Sequence, residues 1–398
     1  MTSIFRCLMI IYASLIITST VRADSIDFSG YIGADLSYFP NTGLYPGQLG
    51  DLQFSLVLAP EINWQSDSGN TQINVLAFGR IDSSDTKRQH IDLREGYLRH
   101  EFDDFTALIG VNKVFWGVAE SRRLVDIINQ VDQLEYTDND ARLGQPMFTI
   151  STDQDWGALS GFLMTGFRKL EFAGTKGRLR LPYPVSDSAV FSHTSREKAK
   201  DYALRYYNSF GDFDLGLSTF NGTSREAFLK LVGGNRFQPN YSRITQTGLD
   251  LQYTGDSTLL KLEAITRSGD DFKRFEAMVA GLEYTIYQVA DTDADLGFIA
   301  EYNYDNRGTN TPQTIFQKDA FVGGRWVAND SEDTSAVLGM LIDLDDGTRS
   351  FQGEFNRRLA NGLSLKMQFR ALGYSNATNA QDAFRRDDFL AISLKHFF

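Results

Sequence analysis

From Ser25 onward the chain reads as short runs in which apolar and polar side chains alternate, separated by clusters of Gly, Asp, Asn and Ser. A period of two sends each class of side chain to its own face of an extended strand. The last ten residues are a clear instance. Leu390, Ile392, Leu394, His396 and Phe398 share one face, and Phe389, Ala391, Ser393, Lys395 and Phe397 the other. In 363–373, Leu363, Leu365, Met367, Phe369 and Ala371 oppose Ser364, Lys366, Gln368 and Arg370. In 295–305, Leu296, Phe298, Ala300, Tyr302 and Tyr304 oppose Gly297, Ile299, Glu301 and Asn303. In 258–268, Leu260, Leu262 and Ala264 oppose Lys261, Glu263 and Arg267. The same reading predicts strands near 26–39, 52–64, 71–81, 91–101, 105–115, 146–152, 156–172, 201–209 and 213–221. Nine more follow near 246–254, 258–268, 274–289, 295–305, 319–328, 334–343, 349–359, 363–373 and 387–398. That makes about 18 strands. Sixteen is the alternative, because the links near 269–273 and 344–348 are short.

The connections alternate in length. Brief turns such as 66–70, 103–104, 211–212 and 360–361 are interleaved with long links such as 116–145, 173–200, 222–245, 306–318 and 374–386. A soluble sandwich has no cause to lengthen every second connection, whereas a barrel with short periplasmic turns and long extracellular loops does. Lipid offers no hydrogen-bond partners, so strands cross it only in a closed barrel with an apolar outer face. The predicted fold is therefore an all-β, transmembrane antiparallel β-barrel closed by pairing Tyr31–Phe39 with Phe389–Phe398. The carboxy-terminal Phe398, with apolar residues at alternate places before it, resembles the closing strand of bacterial outer-membrane proteins. That resemblance implies that Phe398 is an assembly signal read by the barrel-assembly machinery.

Composition sharpens the picture at the amino terminus. Arg6, the apolar run Cys7 to Ile17, and Val21-Arg22-Ala23 form a secretory signal pattern, too short to span a membrane, with cleavage expected after about Ala23. Removal of residues 1–23 takes the only cysteine, so neither disulfides nor thiolate chemistry is expected in the mature chain. The formal charge of −12 falls to about −14 once Arg6 and Arg22 leave, which argues against a nucleic-acid partner. The expected location is the outer membrane of a Gram-negative bacterium, in contact with its lipids and lipopolysaccharide.

One segment breaks the alternation. Between Lys113 and Asp132 the chain carries Glu120, Arg122, Arg123, Asp126 and Asn129, and Leu124, Ile127, Ile128 and Val131 recur at helical spacing. The link 116–145 is expected to fold inward, with a short amphipathic helix. Lys113, Glu120, Arg122, Arg123, Asp126, Asn129 and Asp132 would then set the field of a pore constriction. The plainer alternative is an outer loop with solvated charges. Lys366, Arg370, Glu301, Lys261 and Glu263 are expected to face the lumen. Gly110, Lys113, Trp116-Gly117, Glu120, Asp126, Asn129 and Asp132, with Arg94-Glu95-Gly96-Tyr97 upstream, resemble the DUF1302-type family of bacterial outer-membrane proteins. Gln130 stands where that family usually has proline. The match covers about 40 residues and implies an outer-membrane barrel of unsettled substrate, in a family sometimes suspected of handling hydrophobic compounds.

Catalytic chemistry finds little support. His90, His100, His193 and His396 form no recognisable triad pattern. Asp343–Gly347 and Asp291–Asp295 have carboxylates at calcium-like spacings but lack the later glutamate of the calcium loop, and read more simply as turns. The basic cluster Arg168, Lys169, Lys176, Arg178 and Arg180 reads as a solvated loop, or as a site for anionic lipids or a substrate. The sequence thus predicts a non-enzymatic, porin-like diffusion channel for small solutes, without cofactor or metal. A hydrophobic-compound channel and a non-conducting adhesin or scaffold barrel are the alternatives. A homotrimer is the porin-like expectation for its assembly.

Overall fold

A computed structural model describes residues 25–138, 140–377 and 379–398, so the signal segment 1–23 lies outside the described residues. Eighteen strands form one antiparallel barrel. They are Ser25–Tyr38, Leu52–Gln65, Thr71–Asp82, His90–Glu101, Thr106–Asn112, Gln145–Gln154, Gly157–Met164, Asp201–Phe210 and Phe213–Thr223. The circuit continues with Arg243–Thr254, Thr258–Gly269, Phe272–Ile286, Asp295–Asp305, Lys318–Val327, Ser335–Asp343, Arg349–Ala360, Leu363–Tyr374 and Phe389–Phe397. The first strand pairs with the last from Tyr31 opposite Phe397 to Tyr38 opposite Leu390, which closes the sheet and leaves no free edge. Every strand predicted from alternation is present. The short links at 270–271 and 344–348 are genuine, so the count is 18 rather than 16.

The reason the strands alternate is visible in their exposure. Leu390, Leu394, Phe298, Leu260 and Leu338 stand on the outer face, each at least 40 % exposed. Their inward neighbours Gln368, Glu301 and Glu263 are buried. This inverts the arrangement of a water-soluble protein. It satisfies lipid, because the barrel wall consumes its own backbone polar groups and offers an apolar belt outside.

Two predicted strands end early. The one expected over 105–115 stops at Asn112, and the one over 156–172 stops at Met164. In the second case Gly166 takes a positive φ of 66°, and Phe167 turns in to pack on Tyr241, with ring centroids 4.9 Å apart. Phe167 therefore serves the interior of the loops. Those loops also carry a small sheet that alternation did not reveal: Phe228–Val232 pairs with Arg236–Tyr241, which pairs in parallel with Val190–Phe191.

The beginning of the first strand and Phe398 lie together at the short-turn rim. The Gly30 and Phe398 backbones exchange two hydrogen bonds of 3.1 Å, and the Phe28 and Phe398 rings lie 5.5 Å apart. Deleting Phe398 removes all of these from the seam. The expected result is insertion into lipid vesicles slowed several-fold, followed by the heat-modifiable gel shift of folded barrels. An unchanged half-time would leave Phe398 without a part in assembly.

Candidate functional site

The link between Asn112 and Gln145 leaves the fifth strand and crosses to the far wall. Its seat there is Glu263, fully buried on the eleventh strand. One carboxylate oxygen accepts the N–H groups of Val118 (2.7 Å) and Ala119 (2.8 Å), the other those of Leu124 (2.6 Å) and Val125 (3.1 Å). Glu301 repeats the device on the thirteenth strand. It accepts from the Glu120 N–H (2.8 Å), the Ser121 N–H (2.7 Å) and the Ser121 hydroxyl (2.5 Å).

The expected helix over 124–131 is absent. It would close through the N–H groups of 128–131 on the carbonyls of 124–127, but the chain is drawn out at that end. The Gln130 carbonyl accepts the Leu143 N–H (2.8 Å), the Gln130 side chain accepts the Val131 N–H (3.0 Å), and Val131 bridges to Arg142. At the other end the two buried carboxylates hold the N–H groups of 118–121, 124 and 125. These are charge-assisted bonds, roughly twice as strong as neutral ones. Of the apolar residues read as a helix stripe, Val131 is exposed and the other three are buried. Leu124, Val125, Ile127 and Ile128 join Trp116 and Ala119 against Met147, Phe162, Phe220, Ile265, Phe275 and Val279 on the wall. Trp116-Gly117 has a specific role in this seat. Gly117 has φ 105°, and a Cβ there would lie 2.6 Å from the Glu263 Oε1, so only glycine lets the chain approach the carboxylate.

The sequence-predicted residues fall into two groups. Glu120, Arg122 and Arg123 lie at the crossing. Glu120 accepts from Arg325 on the fourteenth strand (2.7 Å). Arg122 pairs with Asp305 (3.0 Å), and Arg123 pairs with Asp140. The Glu120–Arg325 and Arg123–Asp140 pairs are partly exposed, as is Lys366–Glu354 (2.9 Å) on the neighbouring wall. Asp126, Asn129 and Asp132 are instead internal fasteners. Asn129 accepts the Val114 N–H (2.8 Å) and donates to the carbonyls of Asn112 and Leu143 (both 2.9 Å), clamping the neck of the link. Asp126 accepts from Arg142 (3.1 Å), and Asp132 accepts from Arg94 (2.5 Å). Lys113 meets Glu95 at 3.5 Å. The Arg94-Glu95-Gly96-Tyr97 strand thus touches the crossing link at both its acidic and basic ends.

The predicted wall residues all point inward. Glu263 and Glu301 are covered by the link, Lys261 pairs with Glu283 (3.2 Å) and Lys366 with Glu354. Arg370 shares its face with Gln368 and Lys366, across the sheet from Phe389. The far part of the link reaches the opposite wall. Glu135 pairs with Arg80, which also holds Asp35 at 2.6 Å, and the Tyr136 hydroxyl donates to the Gln53 side-chain oxygen and bonds the Ser37 hydroxyl (both 3.0 Å).

The basic cluster is divided: Lys176 is exposed and Arg168 and Lys169 are partly so. Arg178 and Arg180 are buried, and Arg178 donates to Asp387 (2.7 Å) and to the carbonyl of Arg386 (2.6 Å). Burial pushes the Asp387 carboxyl up against the pull of Arg178. Burial also acts to raise Glu226, but Arg267, Arg307 and Arg122 outweigh it and hold that carboxyl well below the usual range. The Asp343 carboxylate accepts the N–H groups of Asp345 (2.8 Å) and Asp346 (3.1 Å), which is turn chemistry. His100 bonds Thr71 (2.8 Å), His193 lies by Thr223 (3.3 Å) and His90 by the Arg88 carbonyl (2.9 Å).

No family model and no curated protein matches the chain. Among solved structures it is similar to in-vitro folded OmpT, an outer-membrane protein of Vibrio cholerae in trimer form. The identity is 12 %, the TM-score 0.47, and the match covers 95 % of this chain and 100 % of that one. It is also similar to a mutant porin of Rh. blastica at 11 % identity and TM-score 0.43, covering 94 % and 100 %.

Proposed function

We propose that this chain is a porin-like diffusion channel for small solutes in a bacterial outer membrane, exported by removal of residues 1–23 and narrowed by the link 113–144. The observation that carries this reading is the crossing link itself. It is pinned to both walls by buried carboxylates and arginines, and it leaves charged pairs partly exposed beside the fourteenth to seventeenth strands. A loop fixed this firmly acts as a permanent narrowing rather than a mobile lid. Oppositely charged groups on its free side set a transverse field on passing solutes. No step of bond chemistry enters this reading, and the histidines stand on separate hydrogen bonds.

Single-channel recording in a planar bilayer tests it, with Arg123→Glu as the informative variant. Arg123 is partly exposed and pairs only within the link. Arg122→Glu would set a carboxylate against Asp305 and disturb the seat. The expected result is discrete conductance steps in the wild type and a reversal potential displaced toward cation preference in Arg123→Glu. Correctly folded protein that gives no steps overturns the channel reading in favour of a hydrophobe channel or a closed scaffold barrel.

A further inference from the structure

Above the crossing link lies a chamber of about 780 Å³. Its floor is the 131–136 part of the link with Arg122. Its sides come from the long loops: residues 169–187, the 226–229 turn, 307–316 and 380–384. The volume suits a drug-sized organic molecule. Two features of the wall narrow the class of occupant.

The first is an excess of buried cation. Arg122 and Arg307 line the chamber, with Arg267 behind them, and among the described residues the three share two carboxylates, Asp305 and Glu226, at 2.7–3.2 Å. The Nη1 of Arg122 is buried without a hydrogen-bond partner. Arg88 and Arg178 also line the chamber, are more than nine-tenths buried, and leave N–H groups unpartnered. Arg180 goes further. Its guanidinium donates only to the carbonyls of Leu181 (2.9 Å), Pro182 (3.3 Å) and Pro46 (3.0 Å), with no carboxylate in salt-bridge range among the described residues. Buried guanidinium charge without a counter-ion is costly, and an anion relieves that cost. Arginine is also the side chain best shaped to take a carboxylate by two parallel bonds.

The second feature is the apolar remainder. Tyr136, Tyr183, Phe316, Leu134, Leu170 and Leu179 line the same space, and the guanidinium of Arg122 lies 5.1 Å over the Phe316 ring. A bare inorganic ion gains nothing from such a surface, and a neutral apolar molecule gains nothing from the arginines.

We infer that this chamber is a binding site for small organic anions, a carboxylate carried on an apolar, ring-sized body, held on the outer side of the narrowing before passage. The inference deepens the channel reading and rests on it for the word passage, but binding itself does not need conduction.

The test is isothermal calorimetry on the folded, detergent-solubilised protein with three probes: benzoate, acetate and benzyl alcohol. Benzoate is expected to bind at least 10-fold more tightly than either acetate, which lacks the ring, or benzyl alcohol, which lacks the charge. Arg180→Gln is expected to weaken benzoate about 10-fold, and Arg180→Lys to recover most of the loss by restoring the cation. Equal affinity for all three probes, or benzoate binding untouched by Arg180→Gln in protein that keeps its heat-modifiable gel shift, overturns the inference. Benzoate titrated into the outer compartment of a bilayer separates the two readings. Binding without any current leaves the chamber standing and removes the channel, while current without binding does the reverse.

Discussion

Glu263→Gln is expected to raise single-channel conductance several-fold and to make it noisy, without unfolding the barrel. The carboxylate accepts four backbone N–H groups from a link more than 130 residues away in sequence. A bond to a charged acceptor contributes about 1.5–3 kcal/mol, and one between neutral partners about 0.5–1.5 kcal/mol. Exchanging four of the first kind for at most two of the second withdraws roughly 4 kcal/mol or more from docking of the link. The amide also turns an N–H₂ toward donors, so part of the seat becomes repulsive. Strand Thr258–Gly269 keeps its ladders on both sides, because these are backbone bonds. Conductance and current noise in bilayers, with protease cutting of the 113–144 link as a second reading, measure the effect. Wild-type conductance with a protected link would mean that the apolar cluster around Trp116 and Ile128 holds the link without Glu263.

Leu394→Arg is expected to abolish assembly or leave only a small folded fraction. Leu394 stands opposite Leu365 on the outer face beside the seam, and it is 40 % exposed with only lipid to meet. An arginine on the lipid face near the midplane costs about 2–4 kcal/mol, a large share of the 5–15 kcal/mol typical of a folded domain. One step along the neighbouring strand, Lys366→Gln removes a lumen charge paired to Glu354 at 2.9 Å and partly exposed. Such a pair contributes about 0–1 kcal/mol, so this variant is expected to fold like the wild type. The folded fraction after refolding into vesicles, read on unheated gels, decides between them. Equal tolerance of both substitutions would remove the assignment of faces.

The wall was legible in the sequence because lipid enforces it locally. A period of two with one apolar face, broken by turn residues, located all eighteen strands and the pairing of first with last. The errors came where a strand's own neighbours stopped deciding. Phe167, Leu170 and Phe172 alternate loosely with charged residues as a strand would, but Phe167 packs on Tyr241 inside the loops rather than facing lipid. The stripe Leu124, Ile127, Ile128 and Val131 has helical spacing, yet Gln130 and Val131 turn their backbone groups to the 142–143 stretch instead of closing a helical turn. Glu263 and Glu301 were placed in the lumen by alternation, but that they seat the link depends on contacts 138 to 181 positions apart. Arg178 with Asp387, 209 positions apart, is of the same kind. Asp126, Asn129 and Asp132 stood out for their residue types, and the structure gives them bonds that fasten the link. For Trp116-Gly117 the signal was there to be used: a glycine beside a buried tryptophan marks a close backbone approach.

The seam between the first and last strands has an unequal pair of ends. At the loop side the Phe39 and Phe389 rings meet at a tilt with centroids 5.8 Å apart, with Tyr136 against both. Above them Asp387 is gripped by Arg178, and Asp388 accepts from Asn41 (3.0 Å). At the other side the seam ends on the Gly30–Phe398 backbone pair and the Phe28 ring. Fraying of the closed circle therefore has a direction. It is expected to start at the short-turn rim and run toward the aromatic and ionic knot, where Tyr136 of the crossing link and Arg178 of a long loop must let go before the last residues can part. The link that crosses the lumen is thereby also a fastening of the wall.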